Sequence, residues 1–152
     1  MMSKTHLVIA MFVVLLFVSH VSNQFLFMLV ALIATTLPDI DTGFSTIGRF
    51  EETRIVRFLT KHRGFFHSFT FCVLAAIVFA FFIPFISLAF FIGYATHLFA
   101  DSFTVGGIRP FWPLKNKSVW KIKTGGIAET SIFVVFLLVD ILVFLFLVMN
   151  VF

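Results

Sequence analysis

The sequence predicts an all-α, polytopic membrane helix bundle of about five transmembrane helices with two longer cytoplasmic loops. Three observations carry that expectation. Hydrophobic residues make up 61% of the 152 residues, against roughly 45–50% in soluble domains. Apolar runs of about 16–23 residues recur along the chain, close to the length a membrane-crossing helix needs. Ten of the eleven Lys and Arg fall in two segments, about 39–66 and 102–128, that separate those runs. The length is that of a single integral membrane domain, 1–152, and the mean hydropathy is +1.12.

The first run, about 5–21, follows Lys4. A basic residue before an apolar stretch also fits a secretory signal peptide, whose removal would take His6 with it and leave four spans. The region near Ser19 has no clear small-x-small cleavage pattern, so a retained helix is the preferred reading. The second run, about 23–38, lies beyond the short polar join at 19–24 and ends at Pro38. The third and fourth, about 67–83 and 85–101, are split at Pro84, and the fifth runs over about 129–151. Neither short join carries a Lys or Arg. An odd number of spans with the N-terminus inside therefore places every basic residue in the cytoplasm, as the positive-inside rule requires. A multi-pass protein of the cell inner membrane, or plasma membrane, is expected.

The 25 Phe supply lipid-facing and helix-packing bulk. Cys72 is the only cysteine, which excludes an intrachain disulfide or a multi-thiolate metal site. It sits in an apolar run as a small buried hydrophobe. Any metal must then be held by imidazole and carboxylate.

Those groups are unevenly placed. Four of the five His and three of the seven acids lie at His6, Leu37-Pro38-Asp39-Ile40-Asp41, His62-Arg63-Gly64-Phe65-Phe66-His67-Ser68 and His97-Leu98-Phe99-Ala100-Asp101. With orientation fixed by Lys and Arg alone, all of them fall at the cytoplasmic face. Charges at membrane depth are costly and tend to persist for a functional reason. His97 and Asp101, four apart, share one helix face and suit two ligands, or a ligand and the carboxylate that orients it. Alone such a pair is weak. Asp39 and Asp41 follow Pro38 where a helix is expected to end, and Asp is common in solvated turns. Beside neutral imidazoles, however, paired carboxylates make an oxygen and nitrogen set suited to zinc, manganese, iron or magnesium.

His62 and His67 bracket Gly64, and Ser68 can bond a ligand or cap the third helix. The Arg63 guanidinium matches a pair of phosphate oxygens, while the simpler reading of this loop is contact with anionic headgroups. In the last loop, Arg109, Phe111, Trp112, Lys115, Lys117, Trp120, Lys121 and Lys123 interleave aromatic and basic residues. That pattern seats a segment at the membrane interface, and no nucleic acid is expected. Glu129 is either a helix-start acid aligned with the dipole, a further ligand, or a proton carrier. His20 falls at the outer turn. Asp140, mid-span, has no place in this site.

Taken together and in order, these motifs resemble the YdjM-like family of membrane-bound, predicted metal-dependent hydrolases. The matching residues are His6, Leu37-Pro38-Asp39-Ile40-Asp41, His62-Arg63-Gly64-Phe65, His67-Ser68, Gly93-Tyr94, His97-Leu98, Ala100-Asp101, Thr104, Gly107 and Trp112-Pro113. The resemblance implies a metal set of His6, Asp39, Asp41, His62, His67, His97 and Asp101, with Ser68 and Thr104 supporting it from behind. One departure is Phe66, where the family usually has Thr, which removes a hydroxyl beside His67. The expected cofactor is a divalent ion, zinc or manganese foremost, with enough ligands for two. The expected activity is hydrolysis of a phosphoester on a lipid or lipid-linked substrate, with Arg63 clamping a phosphoryl oxygen and Glu129 as a candidate catalytic acid or base. A metal-ion transporter, or a metal-binding membrane protein without hydrolase activity, is the alternative. Transport favours ionisable groups near the midplane, where only Asp140 lies. Membrane lipids are the expected surroundings, and no signal fixes an oligomeric state.

Overall fold

A computed structural model describes residues 1–44 and 64–151, with side chains left aside at 40–44 and 150–151. Five helices account for most of it: α1 (Ser3–Val18), α2 (Gln24–Phe44), α3 (Phe69–Phe82), α4 (Pro84–Ser102) and α5 (Ile127–Val151). Among the described residues there is no strand, only the isolated bridges Thr104 to Ile122 and Ile108 to Ser118 in the α4–α5 connection. The all-α expectation and each of the five apolar runs are met by a helix.

The boundaries follow local chemistry. Asn23 Oδ1 accepts the Leu26 N–H at 3.0 Å as α2 begins, and Ser68 caps α3 by accepting from the Phe71 N–H at 3.2 Å. Pro84 opens α4 at a first-turn position, where its missing N–H costs no hydrogen bond. The expected stop at Pro38 is corrected: α2 continues through it to Phe44. Proline removes one intrahelical bond, a loss that packed membrane helices tolerate. Asp39 and Asp41 consequently lie on a helix rather than in a turn.

Helix α4 is the hub, packed against α1, α2 and α3, while α5 packs on α1 alone among the described residues. Its face toward α2 is built from small side chains. Ala89 and Gly93 on α4 meet Ala31 and Thr35 on α2, each pair four residues apart, the small-x-x-x-small spacing that lets membrane helices approach closely. A Cβ added at Gly93 would overlap the Ala31 carbonyl oxygen. The buried Thr35 hydroxyl donates to the Ala31 carbonyl at 2.8 Å, with the Gly93 carbonyl of α4 at 3.2 Å. Around this seam lie two apolar clusters, one with Cys72, Phe90, Tyr94 and Leu98, the other with Val14, Phe27 and Ile92. Cys72 is buried and free, as its apolar surroundings led one to expect.

Two helices, Pro84–Ser102 and Ile127–Met149, are long and apolar enough to cross a membrane, and Ser3–Val18, Gln24–Asp39 and Phe69–Phe82 are apolar but shorter. The 14 residues of α3 rise about 21 Å, against a hydrocarbon thickness of about 30 Å. Large apolar side chains cover the exterior, with Phe81 and Phe82 each 81% exposed and Ile127 88% exposed. Apolar surface on this scale calls for a nonaqueous surrounding.

Candidate metal centre

The small-residue ladders of α2 and α4 each continue into the site. One turn beyond Gly93 on α4 comes His97, and one turn further Asp101; one turn beyond Thr35 on α2 comes Asp39. The close contact of Gly93 with Ala31 therefore sets how near Asp39 stands to His97. The other two members arrive from helix starts, His6 in the first turn of α1 and His67 just before the α3 cap.

Five side chains meet here. His97 Nε2 lies 3.6 Å from Asp39 Oδ1 and 3.9 Å from Asp101 Oδ2. His6 Nε2 lies 3.2 Å from Asp101 Oδ1, and His67 Nε2 3.9 Å from Asp39 Oδ1. The His6 and His97 rings stack with centroids 3.9 Å apart, and His67 meets His97 edge-on at 5.7 Å. His97 is fully buried and His6, His67 and Asp101 nearly so, whereas the Asp39 side chain is 30% exposed. Asp39 is thus the most exposed of the five.

Most of these separations exceed hydrogen-bond length. Ligand bonds of about 2.0–2.2 Å at tetrahedral or octahedral angles place donors about 3–3.6 Å apart; the His6–Asp101 and His97–Asp39 pairs fall in that range, and the two 3.9 Å pairs lie slightly beyond it. His6, Asp39 and His97 can converge on one ion, as can His67, His97 and Asp101, each set having its donor atoms within 4.8 Å. His97 is common to both. Two further observations favour a cation. Buried His6 Nδ1 and His97 Nε2 meet no hydrogen-bond partner among the described residues, a costly condition for polar atoms. Asp101 also sits in the last turn of α4, which carries no basic residue, at the helix end whose dipole disfavours an anion. The α-amino group of Met1 reaches Asp101 Oδ1, so positive charge is already drawn to this carboxylate.

Of the residues singled out from the sequence, His6, Asp39, His67, His97 and Asp101 are brought together. Asp41 falls on α2 without a described side chain, and His62 and Arg63 lie outside the described residues. Ser68 acts as the α3 cap and donates to the Phe65 carbonyl, fixing the turn that carries His67. The Thr104 hydroxyl donates to the Asp101 carbonyl at 2.8 Å and accepts the Gly107 N–H at 3.0 Å, holding the end of α4. Glu129 is buried and accepts the backbone N–H of Met2 and of Gly125, so its carboxylate ties the chain start to the start of α5. His20 is exposed beside Ser19 at the opposite end of α1.

Sequence reasoning gave Tyr94 no role, and Thr35 escaped it altogether. The Tyr94 hydroxyl donates to the Phe66 carbonyl at 2.6 Å, anchoring the residue before His67. The Phe66 ring, where the family usually has Thr, packs edge-on against Phe65 and Phe71. Tyr94→Phe is expected to cost about 1–2 kcal/mol, the value of a buried hydrogen bond lost from one side, read as a lower denaturation midpoint in detergent.

A membrane-type helical bundle with a buried cluster of imidazoles and carboxylates at one end is the class that this fold and site define. The model of the YdjM inner membrane protein family matches residues 1–151, and the chain belongs to that family. No curated protein and no solved structure matches it.

Proposed function

We propose that this chain is a metal-dependent hydrolase embedded in the inner membrane, with its His/Asp cluster at the cytosolic face. The observation that carries the reading is the convergence of His6, Asp39, His67, His97 and Asp101 from four helices, with buried His6 Nδ1 and His97 Nε2 meeting no hydrogen-bond partner among the described residues. In this reading these residues hold one or two divalent ions, zinc or manganese foremost, with Asp41 and His62 completing the set. Such an ion supplies Lewis acidity, activating water near neutral pH and polarising the scissile group. Asp39, the most exposed of the five, meets the incoming substrate. Arg63 pairs with a phosphoryl oxygen, and an uncommitted carboxylate or imidazole carries the proton.

The substrate class follows from position. All five helices cross the membrane in this proposal, with the N-terminus in the cytoplasm. The exposed cations Arg109, Lys115, Lys117, Lys121 and Lys123 then lie on the cytoplasmic side with the cluster. A site at headgroup depth favours a phosphoester of a lipid or lipid-linked molecule.

The test is turnover of phospholipid and phosphoester substrates by the purified protein, before and after chelation. Hydrolysis is expected to stop on chelation, to return with zinc or manganese, and to fail in Asp41→Asn. Turnover insensitive to chelation would overturn the proposal, as would metal flux into proteoliposomes without any hydrolysis.

A further inference from the structure

Away from the His/Asp cluster, α1, α2 and the C-terminal half of α5 line an open-sided cavity of about 580 Å³, within the range of about 300–1,000 Å³ typical of small-molecule sites. Its lining is almost wholly apolar, including Met11, Leu15, Met28, Phe144 and Leu145. One lining residue is ionisable: Asp140, only 7% exposed, whose Oδ1 has no hydrogen-bond partner among the described residues. Asp140 lies a rise of about 16 Å along α5 from Glu129, well removed from the metal ligands.

We infer that this cavity binds a small amphiphile, an apolar chain whose hydrogen-bond-donating head, a hydroxyl or an ammonium, meets the Asp140 carboxyl. A buried polar group without a partner is costly, and at membrane depth such a group tends to mark a ligand or ion pathway. The cavity supplies volume, and Gln24 is the one donor side chain among its described lining residues. A guest carrying one donor on a hydrocarbon body satisfies both the carboxyl and the apolar walls. Entry is from the bilayer, because the lining residues Phe25, Phe144 and Leu145 are at least half exposed on the outer surface. A second copy of the chain fits less well. It would meet the exposed face of α5, with Leu138, Leu142 and Phe146, whereas the carboxyl is turned inward. The site does not depend on hydrolysis at the metal cluster.

Photolabelling of the purified full-length protein with a diazirine analogue of dodecanol tests this. Label is expected to be saturable, to map to α1, α2 and α5 around the cavity, and to be displaced about tenfold more effectively by dodecanol or dodecylamine than by dodecane, the value of one buried hydrogen bond. Asp140→Leu should erase that preference. Leu15→Trp, which fills the cavity and leaves the carboxyl, should remove the label. Equal displacement by dodecane in the wild type would overturn the inference, as would label spread over the outer helix faces, and as would disulfide-linked dimers forming through Asp140→Cys. The wild-type displacement ratio decides the matter even if a variant fails to fold.

Discussion

His97→Ala is expected to abolish metal retention, with affinity falling by more than the roughly 10–100-fold that loss of a ligand's outer partner costs. His97 touches each other member of the cluster: it stacks on His6, meets His67 edge-on and faces both Asp39 and Asp101. It also belongs to both groups of donors that can surround an ion, so no metal geometry in this cluster survives its removal intact. Metal titration of the purified variant reads the loss. His20→Ala, an exposed imidazole at the opposite end of α1, serves as the matched control and should leave affinity unchanged. Equal metal binding by His97→Ala and the wild type would remove the cluster from consideration.

Gly93→Ala is expected to cost about 3 kcal/mol, the upper end of the usual range for overpacking, and to weaken metal binding although Gly93 offers no ligand. The added methyl would overlap the Ala31 carbonyl oxygen. That contact is backbone, so relief requires α2 and α4 to move apart rather than a side chain to rotate. Asp39 and His97 lie one turn beyond Thr35 and Gly93 on the same two faces, so the separation reaches the site directly. Thermal unfolding in detergent measures the first effect and metal titration the second. Loss of stability with unchanged metal affinity would show that the helix seam and the site are uncoupled.

The helices were legible because long apolar runs broken by Pro84 and a polar turn leave few other choices. The convergence of these side chains was legible for a related reason: with Lys and Arg setting the expected alternation of spans, His6, Asp39, His67, His97 and Asp101 fall at one end. The extension of α2 past Pro38 was not. Proline marks a local cost, and only packing against a neighbouring helix decides whether the helix bears it. Glu129 divided between a helix-start role and a site role because an acid after Gly125-Gly126 suits both, and the Met2 amide that occupies it comes from the far end of the sequence. Tyr94 and Thr35 carry contacts that depend on which residues stand opposite. A signal for the seam did exist: Ala31 with Thr35 and Ala89 with Gly93 both keep the four-residue spacing of close helix packing, in line with Asp39 and His97. Asp140 was visible as a costly carboxyl, but its inward rotation toward a cavity needed the positions of α1 and α2.

The most direct test of the central claim is metal content of the full-length protein purified without chelator, combined with X-ray absorption at the metal edge. One or two divalent ions per chain, in a shell of imidazole nitrogen and carboxylate oxygen without sulfur, is the expected result. A ratio near zero that persists after incubation with zinc and with manganese would contradict the account, and so would a sulfur ligand, because Cys72 lies in the apolar core among Ala34, Ala76 and Phe90.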